Sequence, residues 1–262
     1  MKKGRSFLDT FLPCLKCLLY FLVFYLVAVL VSSVVSTISL SLGKSVPSSL
    51  TGITSYAFVI LAFALGFIPF KTTVFKEAQI NKTKITLIID GALFGMGFFG
   101  AYQGLATLIS KIPANWIEKL FDAQSNMASN QLEGETIFFV LYLGVIAPIC
   151  EELVFRGLML TSLKDYLPKW VGIVACALCF GVIHYPSPIA MFVTFGFGIL
   201  LGFIFYQTKS LIPCILAHMT FNLSNFLLFI PKDVGFYILV IACIPLIVYS
   251  LIDIVRKTRG QS

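Results

Sequence analysis

The sequence predicts an all-α bundle of membrane-spanning helices with both termini in the cytoplasm, and three observations carry that prediction. Of its 262 residues, 58% are hydrophobic and only 12% charged, against about 25% charged in an average soluble domain. Apolar runs near the ~20 residues that cross a bilayer recur from end to end. Basic residues gather in alternate loops. The apolar runs are continuous, without the alternation of a membrane barrel. Helices therefore follow, because backbone groups in hydrocarbon must be paired within their own segment.

Eight spans are expected, over about 14–38, 52–70, 85–110, 136–163, 169–185, 187–207, 211–230 and 234–254. The first is too long for the apolar core of a signal peptide and is followed by more spans, so it reads as uncleaved. The third carries Asp90 a turn or two from its basic end, where it is expected to be solvated or paired with a nearby lysine. Gly91, Gly95, Gly97 and Gly100 crowd the same span and predict close helix packing. The longest polar stretch, 111–135, has Ile117, Leu120 and Phe121 at the spacing of a short amphipathic helix at the outer surface. No linker divides the chain and no internal repeat stands out. Residues 1–262 read as one integral membrane domain with a motif-bearing core over about 136–230.

The net charge is +7, and its placement sets the topology. Thirteen basic residues lie on one set of ends and loops: Lys2, Lys3 and Arg5; Lys71, Lys76, Lys82 and Lys84; Lys164 and Lys169; Lys209; and Arg256, Lys257 and Arg259. Only Lys44, Lys111, Lys119 and Lys232 lie on the other. The excess marks the cytoplasmic side of a cell membrane and requires an even number of spans. The basic ends serve topology rather than nucleic-acid binding. Cys14/Cys17 and Cys176/Cys179 have two-residue spacing but sit in or beside apolar helices. They read as small packing residues, with no function assigned.

Glu151 and Glu152 stand in the middle of the apolar run 138–160. A carboxylate at a helix centre in a bilayer costs about 2.5–3.5 kcal/mol on insertion scales, so an ionisable group there marks a functional site. Two further spans carry polar residues, Phe180 with His184, and His218 with Asn222 and Asn225. At ~100° per residue, Glu152 and Arg156 share a helix face and can pair, while Glu151 points away and has no partner in its own helix. His218 and Asn222 also share a face. At about 1.5 Å per residue, Glu151, His184 and His218 lie ~18, ~22 and ~10 Å from the basic ends of their spans, so the three can meet around a water-filled cavity. Each residue alone has a packing explanation; together they ask for five coincidences in three spans.

A carboxylate, two imidazoles and a carboxamide suit hydrolysis by activated water. The carboxylate takes the water's proton, an imidazole shares the water, and the second imidazole with the amide donates to an oxyanion. Glu-Glu-x-x-x-Arg, then Phe-x-x-x-His, then His-x-x-x-Asn, each in its own span, resembles the CPBP family, the bacterial Abi proteins and type II CAAX prenyl endopeptidases. The resemblance covers about residues 145–225. It implies that Glu151 and His184 activate the water, that His218 and Asn222 hold the oxyanion, and that Glu152, Arg156 and Phe180 shape the site. It implies an intramembrane endopeptidase acting in peptide maturation or bacteriocin self-immunity. Its partners would be membrane lipid and a peptide or protein substrate, in some relatives a prenylated one.

The family has been described both as metalloproteases and as glutamate proteases. Glu151, His184 and His218 would make a zinc set with water in the fourth position, but the chain lacks the His-Glu-x-x-His helix motif. The metal-free mechanism is therefore expected, with no cofactor. Two other functions fit the composition: a non-catalytic membrane scaffold or immunity factor of the same fold, and a proton-coupled transporter using a Glu/His relay. The absence of repeat symmetry weighs against the transporter.

Overall fold

In a computed structural model, residues 7–70, 72–110, 136–185, 187–227 and 235–259 are described, and their regular structure is entirely helical. We label the helices α1 (Phe7–Ser41), α2 (Ser48–Phe67), α3 (Val74–Glu77), α4 (Ile85–Ser110), α5 (136–163), α6 (Lys169–Val182), α7 (Pro188–Thr208), α8 (Ile212–Leu227) and α9 (Gly235–Thr258). Apart from the single turn α3, these fall on the eight expected spans. The amphipathic helix expected within 111–135 lies outside the described residues.

Five of the helices are long and apolar enough to cross a membrane: Leu8–Ser41, Ser48–Phe67, Ile85–Leu108, Ile137–Leu163 and Pro188–Thr208. The apolar stretches Lys169–Val182 and Ile212–Ser224 are shorter. At ~1.5 Å per residue the first of these rises only about 20 Å, less than the ~30 Å hydrocarbon core. It ends three residues before the expected limit of its span, in a turn that carries His184. Pro186 accounts for the early end, because the residue before a proline is pushed out of the helical region.

Helix α5 is not a uniform α-helix. Tyr142–Ile146 and Leu153–Leu160 are π-helical, and Ala147–Glu152, bearing the glutamate pair, is α-helical between them. The Leu153–Leu160 stretch is buried throughout. It packs against α1, where the Phe24 and Phe155 rings meet edge to face at 5.3 Å. Helix α1 is otherwise the most peripheral element: only 11% of its most apolar window is buried inside the protein. It pairs along α2 through the Tyr20–Phe63 ring contact at 5.8 Å and the Ser32–Ser55 hydroxyl bond at 2.8 Å.

The glycines of α4 do what their crowding predicts. A Cβ at Gly91 would lie 2.4 Å from the Pro213 carbonyl oxygen, and one at Gly95 would lie 2.0 Å from that of Ala217, so α8 rests directly on the α4 backbone. Thr220 Oγ1 donates to Ala92 O at 2.9 Å across the same seam. Gly97 faces Cys243 and Ile247 of α9.

Several contacts tie the basic loops together at one end of the bundle. Lys257 near the end of α9 bonds Asp90 near the start of α4 at 2.7 Å, and also Asp253 at 2.6 Å. Of the two states open to Asp90, solvated or paired with a lysine, the structure shows the pair. Asn81 Nδ2 donates to Lys209 O at 2.7 Å, and Ser210 Oγ donates to Asn81 O at 2.7 Å. The beginning of α1 shares a cleft with Glu77 and Tyr166. The start of α1 and the end of α9 thus lie on the same face as these loops.

Candidate active site

Three helices deliver the polar residues to the bundle interior. Helix α5 brings Glu151, Glu152 and Arg156, which are 6%, 0% and 1% exposed. The turn after α6 brings His184, and α8 brings His218, which is 4% exposed, and Asn222. The geometry centres on Glu152 Oε1. Arg156 Nη1 donates to it at 2.7 Å, and His218 Nδ1 lies 2.9 Å from it. A carboxylate paired with arginine only accepts, so the proton at this contact belongs to His218 Nδ1. The other ring nitrogen of His218, Nε2, faces Glu151 Oε2 at 3.8 Å. His218 thus stands between the two glutamates, held by one and turned toward the other.

Phe180 is the hub of the site and is fully buried. Its ring meets those of His184 and His218 edge to face at 5.1 and 5.6 Å, and the Arg156 guanidinium lies 4.4 Å from its centroid. The Phe180 carbonyl accepts from His184 Nδ1 at 2.9 Å, which leaves Nε2 as the lone-pair nitrogen of a neutral ring. His184 is in electrostatic contact with both Glu151 and His218. Arg156 Nη2 and Glu152 Oε2 are buried without a hydrogen-bond partner. Gly198 of α7 makes room for this guanidinium, since a Cβ there would lie 3.2 Å from Nη2.

Glu151 has a partner that its own helix does not supply. Tyr56 of α2 donates its hydroxyl to Glu151 Oε1 at 2.5 Å, from 95 residues away in sequence. The Tyr142 ring stands 5.7 Å from that of Tyr56, lodged against Gly52, where a Cβ would overlap it. The sequence reading missed this pair. A tyrosine in the mostly apolar run 52–70 was the available signal, but Tyr56 at a membrane helix is ordinary without knowledge of what faces it.

Asn222 is placed by backbone chemistry in α5. In the first π-helical stretch the Ala147 N–H bonds the Tyr142 carbonyl, five residues back. The Leu143 carbonyl would next take residue 148, but Pro148 has no N–H. Asn222 Nδ2 supplies the missing donor at 2.7 Å. One amide hydrogen is thereby committed to α5 and the second remains. Asn222→Ala should leave a partly buried carbonyl without its donor and lower stability by about 0.5–1.5 kcal/mol. Chemical denaturation in detergent micelles checks this, and an unchanged midpoint would refute the bond's role. The side chain of Asn225 lies outside the described residues.

Among the described residues, no group of three or more His, Cys, Asp or Glu side chains is disposed to hold a metal ion. Both Nδ1 atoms are engaged, His184 with Phe180 O and His218 with Glu152 Oε1, and both Nε2 atoms are left for the site.

The comparisons with known proteins bear on this core. Residues 133–224 match the family model described as type II CAAX prenyl endopeptidase Rce1-like. That segment contains the glutamate pair, Arg156, Phe180, both histidines and Asn222, and the match bears out the family resemblance read from the motifs. An uncharacterized protein of Mycoplasma capricolum is 28% identical over 169 residues, covering 61% of this chain and 48% of its own. The chain thus spans about half the length of that relative. The UPF0177 protein YbdI of Lactococcus lactis is 25% identical over 169 residues, covering 63% of this chain and 89% of its own. No solved structure matches the chain.

Proposed function

We propose that the segment similar to the Rce1-like type II CAAX prenyl endopeptidases works as an intramembrane endopeptidase here, hydrolysing a peptide bond with water activated by Glu151 and His184. The observation that carries this reading is the array Glu151–His218–Glu152–Arg156, buried in an apolar bundle and closed on one side by Phe180. A merely structural ion pair needs only Glu152 and Arg156. It does not call for a second glutamate held by Tyr56, nor for a second histidine on the same phenylalanine ring.

The tautomers divide the labour. His184 Nε2 accepts a hydrogen bond from water, and Glu151 takes the proton released as oxygen attacks the scissile carbonyl. Tyr56 fixes Glu151 Oε1, which leaves Oε2 for the water. With Nδ1–H directed at Glu152, His218 in its cationic form presents Nε2–H to the developing oxyanion, and the second Asn222 hydrogen is the other donor. Glu151 then returns its proton to the leaving amine. The protein spans the membrane eight times, with its basic face in the cytoplasm, and its substrate enters from the lipid or the cytoplasmic side. Maturation of a peptide, or destruction of a membrane-active one in self-immunity, are the roles that suit such an enzyme.

The test is cleavage by the purified protein in liposomes containing a library of single-span peptides. New peptide termini should appear, and should persist with a chelator present. If a chelator abolishes them and zinc restores them, the metal-free route fails. If no peptide in the library is cut, the protease reading loses its support.

A further inference from the structure

Lys169 opens α6 at the basic end of the bundle, and aromatic rings hold its ammonium. Nζ lies 4.7 Å from the centroid of Phe203 and 5.4 Å from those of Trp170 and Tyr206. All three distances are inside the ~6 Å over which a ring face attracts a cation. Trp170 stacks on Phe203, with centroids 6.0 Å apart and planes 5° from parallel. One ring thus comes from the next residue of α6, and the other two lie one turn apart on α7. The Tyr206 hydroxyl is buried near Gly172, where a Cβ would lie 3.8 Å from it, and has no hydrogen-bond partner. It is the ring of Tyr206, not its hydroxyl, that serves the lysine.

Two features point to a ligand. The first is a charge without a counter-charge. Lys257, at the same end, sits between Asp90 and Asp253 at 2.7 and 2.6 Å, whereas Lys169 makes no ion pair among the described residues. Asp165, whose charge reaches Tyr206, has a contact of its own that does not involve Lys169. The second is what lies beside that charge. Trp170 is 54% exposed, and Val171, Leu178 and Val182 are exposed along α6. At ~100° per residue those three share one face of the helix. A half-buried ammonium and an open indole therefore cap an aliphatic strip, which is the composition of a membrane–water interface.

We propose that Lys169 and Trp170 bind the headgroup of an anionic phospholipid whose chains lie along the strip of Val171, Leu178 and Val182. The phosphate accepts from the lysine ammonium, in the charge-assisted form that makes the stronger hydrogen bonds, and from the indole N–H. A cationic headgroup fits less well, because the ring faces that would receive it are already taken by the ammonium. The strip favours a lipid over a free phosphate, since an inorganic ion has nothing to place on three exposed aliphatic side chains. Anionic lipids are also what basic sites between membrane helices ordinarily bind. Such a lipid would set the height in the bilayer of α6, which is too short to set it by length. That helix carries Phe180, and the turn after it carries His184. The proposal depends on the chain lying in a membrane and not on proteolysis.

The experiment uses the full-length protein carrying Trp116→Phe, which leaves Trp170 as its only tryptophan. The protein is placed in phosphatidylcholine nanodiscs in which a small fraction of the lipid has brominated chains. That fraction is either phosphatidylglycerol or phosphatidylcholine. Bromine quenches tryptophan fluorescence on contact, so quenching reports which lipid sits beside Trp170. At equal content the anionic lipid should compete for the site about threefold to fivefold better, as expected of one lysine beside a charged headgroup. The gap should narrow as sodium chloride is raised. Lys169→Gln should close it, and Lys169→Arg should keep it. Equal quenching by the two lipids, or stronger quenching by phosphatidylcholine, would overturn the proposal. A gap that survives Lys169→Gln would belong to the protein's overall charge and would overturn it too. Loss of the gap on adding sodium phosphate at matched ionic strength would make a free anion the ligand instead of a lipid. The comparison of the two lipids with Lys169 intact decides the matter even if the lysine variants fail to fold.

Discussion

Glu151→Gln is expected to abolish the proposed peptide cleavage while the protein stays folded. Glutamine has the same shape, and its carbonyl oxygen can still accept from the Tyr56 hydroxyl, which bonds Glu151 Oε1 at 2.5 Å. What it cannot do is take a proton from water. A positioned general base contributes roughly 10²–10⁴-fold, so turnover in liposomes should fall by that factor. The thermal midpoint in detergent should hold, since the buried position gains no unpaired charge. Comparison of membrane-peptide profiles from wild-type and Glu151→Gln cells extends the measurement to the natural substrate. A variant that cuts at the wild-type rate would show that the glutamate pair is scaffolding.

Arg156→Ala has the largest expected effect on stability. The arginine is 1% exposed, and the carboxylate it neutralises is fully buried. Removing one member of a buried pair typically costs about 3–5 kcal/mol, because the remaining charge is left without compensation. The loss of the guanidinium over the Phe180 ring, 4.4 Å away, adds to it. The denaturation midpoint should drop sharply, and His218 should lose its fixed orientation together with Glu152. The double variant Glu152→Gln/Arg156→Met separates the two effects. It removes both charges at similar volume and should recover most of the stability. It should not recover cleavage, because His218 Nδ1 no longer meets a carboxylate. If the double variant is as active as wild type, Glu152 does not position His218.

Much of this site was legible before any coordinates. Residues four apart on an α-helix share a face, and that rule alone pairs Glu152 with Arg156, as the 2.7 Å contact shows. The expense of carboxylates in an apolar run singles out Glu151. What the sequence could not supply were the contacts between helices. Nothing local says that His218 reaches Glu152, because 66 residues and two helices separate them. Tyr56 was invisible for the same reason. Asn222 was legible as a polar residue on the His218 face, but its bond to Leu143 O depends on π-helical turns that leave no mark in composition. The helices were easier to read than their ends: the span bearing His184 runs on in hydropathy to Tyr185, whereas the helix stops at Val182. The five long apolar helices follow directly from the apolar runs, and the packing of α4 follows from its glycines.

The wide turns of α5 have one further consequence. Each π-helical turn holds one residue more than an α-helical turn. Such a surplus residue works like a shim: it is taken up within its own wide turn, so everything downstream keeps its angular phase. Deleting one residue within 142–146 would restore ordinary pitch and leave Glu151 and Glu152 at nearly the same angle to the preceding helix, whereas the same deletion in a regular α-helical stretch would swing them by about 100°. Apolar length would scarcely change, so such a chain could still insert in a membrane and look intact by hydropathy. A single-residue gap at this point in an alignment of relatives is therefore compatible with acids still aimed at α8, whereas a gap in the regular turn that follows is not.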